Sequence, residues 1–244
     1  MVYEGTRYGG WQIQPNTITI QKEVETALSK IYNQQISVVG CGRTDAGVHA
    51  SDYYFHVDLD SQLYDDKLLL YKLNGLTPFD IAFRNVYRFE ELRHARFDAS
   101  SRSYEYHIHF EKNPFLRGHS YKYNQSIIPD FNLLQEAAEL IKSYKSFYTF
   151  CKSHTQVDNF KCDIMESKWE KLANGGLVYH VTANRFLRGM VRLLVGMCIN
   201  VSIKKYPIKD VHDALEKQER LTHAWSVPAE GLFLSKIKYP YINS

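Results

Sequence analysis

The stretch SVVGCGRTDAGVHA, Ser37 to Ala50, runs from the apolar pair Val38 and Val39 into a loop holding Gly40, Gly42 and Gly47 beside Arg43, Asp45 and His49. Three glycines can take positive φ and let a substrate approach the backbone, at an entropy cost that a mere connector would not need. Asp45 could be an ordinary Asx-turn residue paired locally with Arg43 or Thr44, but that leaves the glycines unexplained. A dinucleotide fingerprint fails, because GCGRTD puts the Asp45 carboxylate where G-x-G-x-x-G requires glycine or alanine and where a pyrophosphate would sit. A phosphate-binding P-loop fails as well, since no Gly-Lys-Ser/Thr follows.

Around this loop, the 244 residues can bury a sizeable core and fit one large domain or two small ones. A net charge of +3 is too small to announce a nucleic-acid binder, so any RNA footprint must come from clustered arginines. The 18 tyrosines are expected mostly in the core, with some available as stacking surfaces. Cys41, Cys151, Cys162 and Cys198 are far apart without C-x-x-C spacing, as expected of reduced thiols. No apolar run approaches the ~20 residues of a membrane span, and MVYEGTRYGG does not read as a targeting segment. The expectation is a cytoplasmic protein with no membrane partner.

The opening carries Gly-rich turns at Gly5 and Gly9-Gly10, then a helix begun at Thr19 with Ile20, Val24, Leu28 and Ile31 at helical spacing. After the central loop, Tyr53, Phe55, Val57 and Leu59 alternate with polar residues in the period of a half-buried strand. His49, His56 and Asp58 lack any zinc spacing, so no metal is expected, and no cofactor motif occurs. Asp65 to Leu73 reads as a short helix, and Pro78 as a turn before a strand. In HARFDASSRSYEYHIHF, His94 to Phe110, the alternation of Tyr104, Tyr106, Ile108 and Phe110 predicts a strand with Tyr104 on its apolar face. A helix from Asp130 is expected to carry Leu133, Ala137, Leu140 and Tyr144 on one stripe, and residues 151–163 to form a polar loop. Paired strands follow over 164–171 and 176–183 around Asn174-Gly175-Gly176.

In TANRFLRGMVRLLVGMCINV, Met190, Leu194, Met197 and Val201 predict a helical apolar stripe, and Gly189 and Gly196 predict close packing. Arg185, Arg188 and Arg192 stand near its start at spacings of three and four, which would place them on one side of the helix. Cations there oppose the helix dipole, so three of them suggest an anionic partner. A helix over 211–217 and a terminal strand bearing Leu232, Leu234 and Ile237 complete the reading. Interleaved strands and helices without βαβ regularity predict an α+β fold with a mixed, largely antiparallel sheet.

The strings GRTDAGVHA, R-x-Y-x-Y (Arg102, Tyr104, Tyr106), the arginine before Leu-Val-Gly and AEGLFL together resemble the tRNA pseudouridine synthase A family. Tyr-Glu-Gly-Thr and Gly-Trp-Gln near the start resemble its opening pattern, with Glu4 replacing the usual aspartate and with fewer residues before it. The resemblance implies the pseudouridine synthase fold: two similar α/β halves, 1–100 and 101–244, sharing one extended sheet with a central cleft. It implies Asp45 as the catalytic residue, Tyr104 packed on the target base, and Arg192 paired with the aspartate. It further implies RNA or substrate contacts from Arg43, Thr44, His49, Arg102, Arg185 and Arg188, and a place for Leu234 in the pocket floor. The implied activity is isomerisation of uridine to pseudouridine in the tRNA anticodon stem-loop, at positions 38–40, by a homodimer that needs no cofactor.

A carboxylate, an arginine and an aromatic platform are the inventory such an isomerisation needs. Asp45 could attack ribose C1′ or base C6, or remove a ribose proton, and the sequence does not choose. Alternatives are a pseudouridine synthase for another RNA and a non-catalytic RNA-binding or chaperone protein of the same fold.

Overall fold

The structure, a computed structural model, describes residues 1–59, 64–152 and 159–242. Its elements make an α+β chain with five α-helices among the described residues and mixed, mostly antiparallel strand pairing. The chain groups into two compact units: Met1–Ser100 together with the segment from Phe233 onward, and Ser101–Leu232.

In the first unit, β1 (Val2–Tyr3) pairs antiparallel with both β3 (His49–Ala50) and β5 (Ile81–Ala82). The strand β10 (Leu232–Lys238) runs parallel to β3, in the register Phe233 to His49 and Leu234 to Ala50. That pairing draws the segment from Phe233 into this unit. Helix α1 (Ile20–Tyr32) starts where expected: the Thr19 hydroxyl accepts from the Lys22 N–H, and Ile20, Val24 and Leu28 face the core. Asn33, in the left-handed region at φ 51°, ends it. Helix α2 (Asp66–Leu76) is capped by Asp65.

The strand expected over 53–59 is shorter. Only β4 (Phe55–His56) forms, because its partner β2 (Val39–Gly40) offers two residues of ladder. Tyr53 instead buries completely and stacks on Trp11, with centroids 4.3 Å apart.

In the second unit β6 (Ser101–His109) pairs along its length with β9 (Leu177–Ala183), which pairs in turn with β8 (Ile164–Lys171). A short β7 (Tyr121–Lys122) lies parallel to the end of β6. The β8–β9 hairpin turns at Gly175, with φ +80°, as its Asn-Gly-Gly sequence predicts. Helix α3 (Phe131–Lys142), capped by Asp130, buries Leu134, Ala137, Ala138 and Ile141. The buried stripe is thus offset by one residue from Leu133 and Leu140, which are not among the buried positions, and Tyr144 lies beyond the helix. Of the polar loop expected over 151–163, residues 153–158 lie outside those described.

Helix α4 (Met190–Ser202) carries the expected stripe, but neighbours cover it far beyond that stripe, including Asn200 and Ser202. Gly196 allows this. A Cβ there would lie 1.9 Å from the Trp225 carbonyl oxygen, a backbone atom with little room to yield. Gly189 serves differently, since its φ of +70° forms the helix entry. Helix α5 (Ile208–Lys217) packs Val211, Ala214 and Leu215 inward.

Gly196→Ala is therefore expected to destabilise the second unit by about 1–3 kcal/mol, lowering the melting temperature by roughly 3–10 °C. Thermal denaturation followed by circular dichroism reads this, and an unshifted transition would contradict the close approach.

Candidate active site

The Asp45 loop is held by the segment Tyr3–Trp11, and the hold is mostly backbone against backbone. The Trp11 N–H donates to the Thr44 carbonyl at 3.2 Å, and the Gly47 N–H to the Tyr8 carbonyl at 3.3 Å. Within the loop, the Val48 N–H closes a turn on the Asp45 carbonyl at 3.2 Å, with Gly47 at φ +77°. A Cβ on Gly5 would fall 2.0 Å from the Val48 carbonyl oxygen; one on Gly10, at φ +92°, 2.3 Å from that of Thr44. Sequence reading treats these two glycines as turn formers. Their spatial role is contact with the carboxylate loop, and the signal available for it was the run of glycines ending at an aromatic, Trp11.

Side chains complete the brace. The Tyr3 and Thr44 hydroxyls share a hydrogen bond of 2.8 Å, and the Tyr53 hydroxyl donates to the Gly42 carbonyl at 2.5 Å. His49 is buried, accepts the Gly5 N–H on Nδ1 at 3.0 Å and stacks on Phe233 with centroids 4.5 Å apart. Its Nδ1 also lies 3.5 Å from Glu4, the residue standing where the resembled pattern has aspartate. Leu234 is buried in β10, its carbonyl accepting from Ser51 and Asp52. Arg43 is exposed and Asp45 half-buried.

The expectation that all three loop glycines admit substrate needs correction. A Cβ on Gly40 would meet the Tyr53 hydroxyl at 2.2 Å and the Trp11 ring at 2.6 Å, so that glycine makes room for the protein's own core. Gly42, by contrast, would place its Cβ with nothing within 4 Å.

In the second unit, Tyr104 sits on β6 opposite Val181, half-buried, with its ring edge-on to Phe186 at 5.2 Å. Arg102, two residues earlier, donates from Nη1 to the Asn184 carbonyl at 2.9 Å. Asn184 is itself pinned to Asp163 through its backbone N–H and both side-chain amide atoms. The structure thereby gathers Arg102, Tyr104 and the start of the Asn184–Gly189 segment. It corrects the helical placement of the arginines: Arg185 and Arg188 precede α4, since β9 ends at Ala183 and helical backbone begins only at Met190. Arg192 alone of the three lies on the helix.

Arg192 is half-buried, and its Nε donates to the Val227 carbonyl at 2.6 Å while the Val227 N–H returns a bond of 3.3 Å to the Arg192 carbonyl. One residue on, the Pro228 carbonyl accepts from the buried Tyr106 hydroxyl at 2.9 Å. Burial pushes that phenol well above its ordinary value, so it stays a donor. The 225–231 segment thus fixes both Arg192 and the strand that carries Tyr104. Sequence reading missed Val227 and Pro228 because their carbonyls, not their side chains, do this.

A family model described as tRNA pseudouridine synthase matches residues 144–240. Proteins named tRNA pseudouridine synthase A are similar along almost the whole chain. That of Porphyromonas gingivalis is 42% identical over 242 residues, covering 98% of this chain and 95% of the relative. That of Bacteroides fragilis is 40% identical over 240 residues, with 98% and 94% covered. In Bacillus subtilis the figures are 33% over 239 residues, with 97% and 96% covered. Likeness of that depth over both chains leaves one assignment: this chain belongs to the tRNA pseudouridine synthase A family.

Gly5→Ala is expected to push the Val48 carbonyl, and with it the Asp45 loop, outward at a cost of about 1–3 kcal/mol. Hydrogen exchange read by mass spectrometry should then show faster exchange at the Gly47 and Val48 amides; unchanged protection over 44–50 would refute the brace.

Proposed function

We propose that this protein isomerises uridine to pseudouridine in tRNA, with Asp45 as the catalytic nucleophile. The observation that carries the reading is the half-buried Asp45 carboxylate on a loop tied by backbone bonds to the Tyr3–Trp11 segment, in a chain whose relatives bear that activity in their names. Such a loop holds a reacting group within narrow limits before substrate arrives.

The chemistry balances without any other reagent. The N1–C1′ bond breaks, the base turns and a C5–C1′ bond forms; the C5 hydrogen leaves as a proton and N1 takes one up. Tyr104 supports the displaced base, with its ring orientation set by Phe186. Arg192 is the proposed partner of the aspartate, and its guanidinium is tied through Nε to the Val227 carbonyl. Arg43, exposed on the loop, contacts the RNA near the flipped base, and Arg102, Arg185 and Arg188 meet the RNA around Tyr104. Thr44 and His49, both buried, act on the RNA only by holding the loop, and Leu234 closes the pocket floor. The uridines modified are those of the anticodon stem-loop, positions 38–40, and the enzyme works as a cytoplasmic homodimer. Four buried free thiols suit a reducing compartment, and no described helix is long and apolar enough to cross a membrane.

The test is release of tritium from tRNA carrying the label at uridine C5. The wild-type protein should release it, and no release from any tRNA would sink the proposal. Asp45→Asn should bind tRNA with near-normal affinity while its rate falls by about a thousandfold or more; full activity would remove Asp45 from the chemistry. Tyr104→Ala should lower kcat about 10–100-fold, more than it raises KM. A rate equal to wild type would leave Tyr104 a packing residue.

A further inference from the structure

Five consecutive backbone N–H groups, His94 to Asp98, are all bonded. His94 donates to the Asp98 carboxylate at 2.7 Å and Ala95 to His56 Nδ1 at 3.1 Å. Arg96 and Phe97 both donate to His94 Nδ1, at 3.1 and 3.2 Å, and Asp98 to the His94 carbonyl at 3.0 Å. The Tyr239 hydroxyl reaches the Ala95 carbonyl, and the Tyr241 hydroxyl lies 3.0 Å from the Asp98 carboxylate. Burial, helped by the neighbouring His94, holds His56 below its ordinary value and so keeps its Nδ1 an acceptor. Seven hydrogen bonds therefore fix a turn of five residues.

What this rigid turn presents is Phe97, with 74% of its surface exposed. A flexible loop would fold such a ring back onto the protein; this one holds it in water, where apolar surface is disfavoured. The ring stacks on His94, with centroids 4.2 Å apart and planes 30° from parallel, and the Arg96 guanidinium carbon stands 5.6 Å from its centre. A mostly exposed aromatic ring with a guanidinium over it is what unpaired nucleic acid binds: stacking for the base, positive charge for the phosphate chain. The turn's near neighbours in sequence include the ion pair Arg93–Glu91 and the exposed Leu92, so it is the guanidinium over the ring, rather than the polarity of the surround, that favours nucleic acid over a protein partner.

We propose that the turn His94–Asp98 is a second RNA contact, in which Phe97 stacks on an unpaired base of the tRNA other than the uridine that reacts. This rests on the tRNA reading above. Its function is to set where the RNA lies, so that the correct uridine is offered to Asp45.

The test is equilibrium binding of unmodified tRNA transcripts to wild-type protein, Phe97→Ala and Phe97→Trp over roughly 50–300 mM KCl. Phe97→Ala should bind about tenfold more weakly at every salt concentration, with an unaltered slope of log affinity against log salt, because a stacking contact releases no counterions. Phe97→Trp should bind within about threefold of wild type. All three should melt at the same temperature, since the ring is mostly in solvent. Equal tRNA affinity for wild type and Phe97→Ala overturns the proposal. So does a change in the sedimenting mass of the RNA-free protein on Phe97→Ala, which would make the partner a second copy of this chain. Tritium release in the same preparations separates the two readings. Release by wild type with unaltered binding by Phe97→Ala rejects the stacking contact alone; no release with weakened binding rejects the catalytic reading alone.

Discussion

Two glycine residues pressed against a carbonyl-lined loop govern the first unit. Gly5 and Gly10 let the backbone of the opening segment lie closer to Thr44 and Val48 than any side chain would permit. Everything local follows from that approach. The Trp11 N–H reaches Thr44, and the Gly5 N–H reaches His49 Nδ1. With those bonds made, Thr44 and His49 turn inward while Arg43 and Asp45 keep access to solvent. The polar groups of the loop that these bonds engage are satisfied by protein, so the loop does not depend on RNA to be ordered.

The second unit solves a similar problem by another device. Its irregular 225–231 segment runs past α4 and β6, and takes a bond from each: Arg192 at Val227 and Tyr106 at Pro228. Gly196 lets the segment come close at Trp225, and Gly231 at the His107 carbonyl, 2.7 Å from its absent Cβ. An arginine with a long, flexible stem is thereby given one direction, which removes much of the entropy it would lose on pairing. The buried, highly apolar α4 supplies the fixed end of that arrangement.

Much of this was legible in the residues. Thr19, Asp65 and Asp130 announced helix starts because capping is local chemistry, and the Asn-Gly-Gly turn announced its hairpin. The GRTDAGVHA string announced the carboxylate loop. What misled was the extrapolation of a period beyond the element that carries it. Arg185 and Arg188 have helical spacing with Arg192 but lie ahead of the helix, and the alternation over 53–59 meets a partner strand of two residues. Pairing length and helix entry are set by tertiary neighbours, which a local window does not contain. The roles of Val227 and Pro228 were invisible for a related reason: a carbonyl has no residue type.

The parallel pairing of β3 with β10 has a consequence in time. The loop that presents Asp45 leads into His49 and Ala50, whose partners are Phe233 and Leu234, and Asp52 takes the Ile237 N–H across 185 positions of sequence. Those closures have a high contact order and come late in folding. During synthesis, the residues around Asp45 leave the ribosome long before the strand that completes their sheet. A nascent chain therefore exposes an unfinished carboxylate loop and gains its finished form only once the last strand is free to pair. The finished geometry of the Asp45 loop is in this way tied to the synthesis of β10.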